Sequence, residues 1–320
     1  MNKAKLMVGA CMLFAATAFA ADSYPVRPVR IVVPFSPGGA TDIVARLVAQ
    51  KLNEAWGQSI IVDNRAGAGG NIGGDIAAKA NPDGYTLFMT SGSIVTANQH
   101  MYAKMPFSPE KDLVAVTSVA SGPQVLVVHP SAPAKNLKEF IAQAKAKPKS
   151  MTYGSAGVGT QTHLAAENFI YTAGIDVTHI PYKGEGPAVT DLVGGQIQFV
   201  TPNLSAAIAF INTGKLRALG VTSKERSGQL PTVPAIAETL PGFENLGWFG
   251  FMVPTGTPKA VIDKINADTV KVLAGPDLRK RFSDIGMVPV GNSPQDFARD
   301  IKAESARWEK IIKERKLQVN

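Results

Sequence analysis

A buried strand gives way to a helix at residues 34–42, which read Pro34-Phe35-Ser36-Pro37-Gly38-Gly39-Ala40-Thr41-Asp42. The apolar, β-branched run that leads into them, residues 29–35, is typical of a strand covered on both faces. After them, apolar side chains recur on one helical face over residues 43–52. The two glycines allow a tight reversal and a close approach of the backbone to a ligand. We call residues 34–42 the first elbow.

The first elbow predicts an anion site. Thr41 or its neighbour is expected to cap the helix, and Asp42 falls in its first turn. Because the first-turn amides of a helix have no partner within that helix, they are free to bind a negatively charged group. The same residues also suit an ordinary turn between a strand and a helix.

Length and composition indicate a globular protein with two domains. The chain has 320 residues, of which 45% are hydrophobic and 18% charged. Its formal charge is +8, but the lysines and arginines are spread over several predicted helices and form no basic stripe. We therefore expect no nucleic acid partner, and a modest positive field that attracts small anions. We expect a monomer.

The amino terminus has the pattern of an export signal. Two lysines precede an apolar run, and Ala18-Phe19-Ala20 forms a cleavage site. We predict that residues 1–20 are a signal peptide cleaved after Ala20, because the segment is too short to stay as a membrane anchor. A weaker alternative is lipidation at Cys11, the only cysteine. The predicted mature chain has no cysteine and so no disulfide.

A second elbow occurs in the middle of the chain. Residues 151–154 suit a strand, the small residues 155–160 a loop, and residues 161–171 a helix. Two elbows that face each other could bind the two ends of one anion. The hydroxyls of Ser91 and Ser93 end another predicted strand, at the edge where open α/β sheets bind ligands.

The order of the predicted elements indicates two lobes. Strands alternate with helices, which predicts an α/β fold with parallel sheets. Long apolar runs within residues 113–129 and 248–253 suggest two crossings between lobes. We predict that residues 21–121 and 250–320 form lobe 1 and residues 122–249 form lobe 2.

Motifs for catalysis, metals and cofactors are missing from the sequence. Ser155 is a candidate nucleophile, but Tyr153 stands where the G-x-S-x-G motif needs glycine. The four histidines have neither an H-E-x-x-H pattern nor cysteine partners, and the glycine-rich residues 63–74 do not match a dinucleotide fingerprint. No metal or cofactor is expected. His163 is either a ligand contact or, as we favour, a packed histidine that satisfies the local backbone.

Five motifs, in order, resemble one family. They are residues 33–42, 64–70, 153–157 with His163-Leu164, 181–184 and 254–258. Together they resemble the Bug-type solute receptors, the periplasmic substrate-binding components of tripartite tricarboxylate transporters. The resemblance spans essentially the whole predicted mature chain.

The resemblance implies a two-lobed periplasmic-binding-protein architecture of type II, the Venus flytrap. Such a receptor binds a carboxylate between its lobes and delivers it to membrane subunits. In the family, the first elbow holds a ligand carboxylate, partly through ordered waters, and this role maps onto residues 37–42; the second elbow contributes from the other lobe. One departure is Gln198 with Pro202-Asn203, where the family commonly has Asp and then Asp-Asn. Asn203 is the one ligand contact we predict there.

We therefore predict a non-enzymatic periplasmic receptor for a small organic acid, a di- or tricarboxylate or an aromatic carboxylate. The predicted ligand contacts are Pro37, Gly38, Gly39, Thr41, Asp42, Ser91, Ser93, Ser155, Gly157, Thr160 and Asn203. Asp42 is the only carboxylate among them, so a ligand ammonium group would lack a partner. We therefore predict that a plain carboxylate, with two acid groups or an aromatic ring and no amine, binds better than aspartate or glutamate. The alternatives are a secreted serine hydrolase that uses Ser155, and a sensor of the same fold that signals to a membrane kinase.

Overall fold

The structure of the protein is a computed structural model that describes residues 24–315 and residue 317. The predicted signal peptide and Cys11 lie outside these residues. Within the described part of the chain, no helix combines the length and the apolar character needed to cross a lipid bilayer. The strands are β1 Val29–Val33, β2 Ile60–Asn64, β3 Thr86–Ser91, β4 Leu113–Pro123, β5 Val125–Val128, β6 Thr152–Ser155, β7 Thr178–Pro181, β8 Phe199–Val200, β9 Arg217–Val221, β10 Leu246–Pro254 and β11 Val288–Pro289.

Helices alternate with strands along much of the chain, as the sequence predicts, although three helices follow one another between β3 and β4, and β4 leads directly into β5. The α-helices are α1 Ala40–Trp56, α2 Asn71–Ala78, α3 Gly92–Thr96, α4 Asn98–Met101, α5 Pro109–Asp112, α6 Leu137–Ala146, α7 Gln161–Ala173, α8 Glu185–Val193, α9 Leu204–Asn212, α10 Lys259–Ala274, α11 Pro276–Asp284 and α12 Pro294–Arg315. Two short 3₁₀ helices span Ala68–Gly70 and Ile236–Glu238.

The strands form two sheets, one in each lobe. The first sheet has the order β11-β4-β10-β3-β1-β2, and the second has the order β7-β6-β8-β5-β9. This arrangement confirms the predicted two-lobed α/β architecture.

The prediction of parallel sheets holds for only three strands in each sheet. Strands β1, β2 and β3 are parallel, and so are β6, β7 and β8. By contrast, β10 and β5 run antiparallel to both of their neighbours. The chain enters each of these two strands from the other lobe. Each strand therefore begins at the opposite end of its sheet and runs antiparallel to its neighbours.

The chain changes sheet at two places. It leaves the first sheet after Pro123 and starts β5 at Val125, and it returns between Val221 and Leu246. Both β4 and β10 thus run a few residues past the lobe boundaries predicted at 121/122 and 249/250. The division into lobes at those two positions stays a prediction.

Each lobe has its own buried core. Helix α1 packs its apolar face, including Val44, Val48 and Leu52, against the first sheet. In the second lobe Tyr153 and Phe199 lie fully buried among other apolar side chains. Burying one such large side chain stabilises the folded state by about 1.5–3 kcal/mol. The elbow loops extend from elements that are anchored in these two cores.

Candidate functional site

The first elbow directs the open end of α1 into the crevice between the lobes. Gly38 has a φ of +86°, a left-handed conformation that favours glycine. Gly39 is the N-cap with an extended backbone, and no side chain within the described part of the chain caps the helix. The expectation that Thr41 or its neighbour caps α1 is therefore wrong. Because glycine has no side chain to occupy the first-turn amides, they stay open to a group from outside the helix.

Asp42 holds the first elbow together. Its carboxylate accepts hydrogen bonds from Gly38 N at 3.1 Å, Arg46 Nε at 3.0 Å and Asn64 Nδ2 at 3.0 Å. The amide nitrogen of Asn64 also donates to Phe35 O at 2.9 Å. The Asp42 side chain is buried and fully engaged within its own lobe, so it fixes the loop that presents the amides.

The second elbow is held in a similar way by its hydroxyl groups. Thr160 caps α7 by accepting from His163 N at 3.4 Å, and its hydroxyl donates to Gly157 O at 2.6 Å. Ser155 Oγ accepts from Gly157 N at 3.1 Å and lies 2.7 Å from His179 Nε2. These hydroxyls organise the loop from within the second lobe.

His163 packs behind this loop. Its Nδ1 accepts from Gly159 N at 3.3 Å, in agreement with the interpretation of a packed histidine that satisfies the local backbone. Burial and the neighbouring His179 lower the pKa of His163 to about 3, so the ring is neutral near pH 7.

A third elbow, residues 181–185, sends a carboxylate across the crevice. Glu185 is the first residue of α8 in the second lobe, and its Oε1 accepts from Ala40 N of the first lobe at 2.7 Å. Its Oε2 accepts from Asn203 N at 2.9 Å, and Asn203 Nδ2 lies 3.2 Å from both oxygens. We call Ala40 N, Asn203 N and Asn203 Nδ2 the anion site. It is occupied by a carboxylate of the protein itself.

Burial dominates the electrostatics of Glu185. Desolvation raises the pKa of its carboxyl group, while the hydrogen bonds from Ala40 and Asn203 act in the opposite direction. The sequence analysis missed this residue. An acidic residue in the first turn of a helix is expected to complement its own helix dipole, so the pattern carries no sign of a contact with another lobe.

The elbows of the two lobes touch each other. Ser36 N donates to Lys183 O at 3.0 Å, and Tyr102 OH donates to Val158 O at 2.8 Å. The cavity between the lobes has a volume of about 10 Å³, which is room for about one water molecule. The crevice is therefore closed.

The residues predicted from sequence fall into three groups. The cavity is lined by Gly39, Thr41, Ser91, Thr160 and Asn203 of the predicted set. Pro37 and Gly38 line an outer groove of about 390 Å³. Asp42, Ser93, Ser155 and Gly157 are not among the residues that line either space. The lining residues that the sequence analysis missed are Phe35, Ala156, Gln161, Thr162, Glu185 and Phe249.

Several buried polar atoms near the strand ends have no hydrogen-bond partner among the described residues. They include Ser91 Oγ at the end of β3 and Ser93 Oγ in α3, Gln161 Oε1 at the start of α7, Thr201 Oγ1 after β8, and Ser205 Oγ in α9. Since buried polar groups in folded proteins are nearly always paired, such a group of atoms indicates a polar ligand or ordered water. Of these atoms, Ser91 Oγ and Gln161 Oε1 belong to residues that line the cavity, so the crevice offers one hydroxyl and one amide oxygen beside the anion site.

The Ser155–His179 pair is poorly suited to catalysis. Their 2.7 Å contact has the length that a nucleophile and its base require. However, Ser155 is fully buried, and burial lowers the pKa of His179 to about 4, well below the value near 7 that suits a general base. Among the described residues, no group of three acidic, histidine or cysteine side chains is placed to hold a metal ion.

Known proteins are similar to this chain in sequence along nearly its whole length. The sequence profile of the tripartite tricarboxylate transporter family receptor matches residues 44–317. BugT of Bordetella pertussis is 39% identical over 296 residues, which are 92% of this chain and 91% of BugT.

Two solved structures are similar in both fold and sequence. Rpa4515 of R. palustris, solved with adipate, is 37% identical with a TM-score of 0.88, covering 91% of this chain and 97% of its own. MatC of Rhodopseudomonas palustris, solved with bound malate, is 32% identical with a TM-score of 0.86, covering 90% of this chain and 100% of its own. The profile match and the identity to BugT both extend across the two lobes. The chain belongs to the tripartite tricarboxylate transporter receptor family, as a Bug-type periplasmic solute receptor.

Proposed function

We propose that the protein captures a small organic acid, a di- or tricarboxylate or an aromatic carboxylate, and delivers it to the membrane subunits of a tripartite tricarboxylate-type transporter. It acts as a monomer in the periplasm, after removal of residues 1–20. It performs no chemistry on the acid.

The observation that supports this proposal is a carboxylate at the anion site. The amide of Ala40 lies 2.7 Å from an oxygen of Glu185, so the geometry already suits a carboxylate. Charge-assisted hydrogen bonds and the α1 dipole both favour a negative group there. The hydroxyl of Ser91, which lines the cavity and has no hydrogen-bond partner among the described residues, is then available to the rest of the ligand. The similar proteins solved with adipate and malate hold ligands of this class.

One premise of the sequence analysis is wrong. Asp42 is not the only carboxylate at the crevice, because Glu185 lines the cavity and Asp42 does not. The prediction that a plain acid binds better than an amino acid therefore depends on what Glu185 does when the ligand arrives.

Calorimetry and thermal shift with adipate, malate, citrate, benzoate and aspartate test the proposal on the protein without its signal peptide. A bound acid raises the melting temperature, since the ligand stabilises only the folded state. Deletion of the gene should abolish uptake of the same acid by cells, whereas a sensor would alter transcription and leave uptake intact. Failure of every acid to bind would refute the proposed function.

A further inference from the structure

Glu185 connects the two lobes through the anion site. The residue belongs to α8 in the second lobe, while the amide that it accepts from, Ala40 N, opens α1 in the first lobe. The side chain is buried, and its oxygens contact only backbone amides and the amide of Asn203 in the described chain. None of the salt bridges among the described residues involves Glu185, so the hydrogen bonds from these amides are what stabilises its carboxyl group there.

A solute carboxylate needs the same donors. The cavity of about 10 Å³ holds one water at most, so a dicarboxylate fits only after the closed crevice opens. Two carboxylates sharing one set of amides would repel each other in a site of low dielectric. The solute and Glu185 therefore exclude each other from the anion site.

We propose that Glu185 is a tethered carboxylate that occupies the anion site of the empty receptor, holds the two lobes together, and is displaced by the carboxylate of the solute. Only the displacement of Glu185 by a solute rests on the proposed function. The closure of the empty protein by Glu185 does not depend on any ligand. As an internal competitor, Glu185 lowers the apparent affinity. If it occupies the site roughly nine-tenths of the time, the affinity falls about tenfold.

The variant Glu185→Gln tests both parts of the proposal. Glutamine keeps the size of the side chain but turns one donor group toward amides that are themselves donors. The empty variant should show a larger radius of gyration by X-ray scattering than the wild type. The matched control is Glu225→Gln, which removes one charge from an exposed loop and should leave the radius unchanged.

A second variant displaces Glu185 without altering it. A Cβ at Gly39 would lie 2.9 Å from Glu185 Cγ, and the extended backbone of Gly39, with φ −87° and ψ 169°, is open to alanine. The empty Gly39→Ala protein should therefore also be expanded. If both folded variants scatter as the wild type does, Glu185 does not hold the lobes together and the proposal is overturned.

Calorimetry with malate, adipate and aspartate decides whether the side chain is displaced. We expect malate or adipate to bind Glu185→Gln about tenfold more tightly than the wild type, which is about 1.4 kcal/mol. Weaker or equal binding would overturn the displacement. A second result would also overturn it: the wild type binds aspartate more tightly than malate, and the Glu185→Gln variant does not. In that case Glu185 would pair with the ammonium group of aspartate. If no acid binds any variant, the proposed function fails, and so does displacement, while scattering still decides the closure.

Discussion

The variant Asp42→Asn tests whether Asp42 stabilises the first elbow or contacts the ligand directly. Asp42 accepts from Gly38 N, Arg46 Nε and Asn64 Nδ2, and its side chain is only 5% exposed. An asparagine presents one oxygen and one NH₂ group, so at least one of these donors loses its acceptor and faces another donor. The loop that carries the open amides then loosens.

The magnitude follows from these contacts. The Arg46 side chain is 53% exposed, so solvent screens its ion pair and that part contributes little. The bonds to Gly38 and Asn64 are more shielded, and a hydrogen bond to a charged group contributes about 1.5–3 kcal/mol. We expect the free energy of unfolding to fall by about 2–3 kcal/mol and the melting temperature by about 4–12 °C.

Urea and thermal unfolding measure this loss, with Asp284→Asn as the matched control. Asp284 pairs with Lys280 four residues earlier on α11, and both side chains are more than half exposed, at 56% and 75%. The control should change the free energy of unfolding by less than about 0.5 kcal/mol. An Asp42→Asn protein as stable as the control would refute the role assigned to Asp42. Normal stability with complete loss of acid binding would instead make Asp42 a ligand contact, as the sequence analysis predicts.

Three further predictions concern the second elbow, pH and processing. Ser155→Ala should lower the free energy of unfolding by about 1–3 kcal/mol and weaken acid binding through a looser loop; wild-type values in urea unfolding and calorimetry would contradict this. Burial lowers the pKa of His163 to about 3 and of His179 to about 4. The unfolded chain therefore takes up protons below about pH 6.5 while the folded protein does not, and stability should fall from there toward pH 4 by up to about 1.4 kcal/mol per pH unit for each histidine. Urea titrations at several pH values should show a flatter slope for His179→Gln, and an unchanged slope would count against it. The intact mass of the exported protein should correspond to a chain that begins at Ala21, and a lipid-modified Cys11 at its amino terminus would disprove that start.

Local sequence was enough to predict β1, α1, α7 and the first two elbows. The apolar face after residue 42 predicts α1, and the β-branched run before the first elbow predicts β1, because both periodicities involve residues a few positions apart. The second elbow was placed on the same grounds, and α7 begins at Gln161 as expected. Among the predicted contacts, Gly39 and Asn203 line the cavity because glycine loops and strand ends collect at one edge of each sheet.

The contacts across the crevice required the folded structure. Glu185 and Ala40 are 145 positions apart, and nothing near either residue indicates that one accepts a hydrogen bond from the other. Ser155 is a second case, since its hydroxyl could bind a ligand or an interior group, and the packing of β7 beside β6 brings His179 to it. The antiparallel direction of β5 and β10 is a third case, because it depends on the end of the sheet at which the chain enters each lobe. Local patterns determine which residues form a strand, a loop or a helix end, whereas the distance between two lobes depends on every packed contact that closes them.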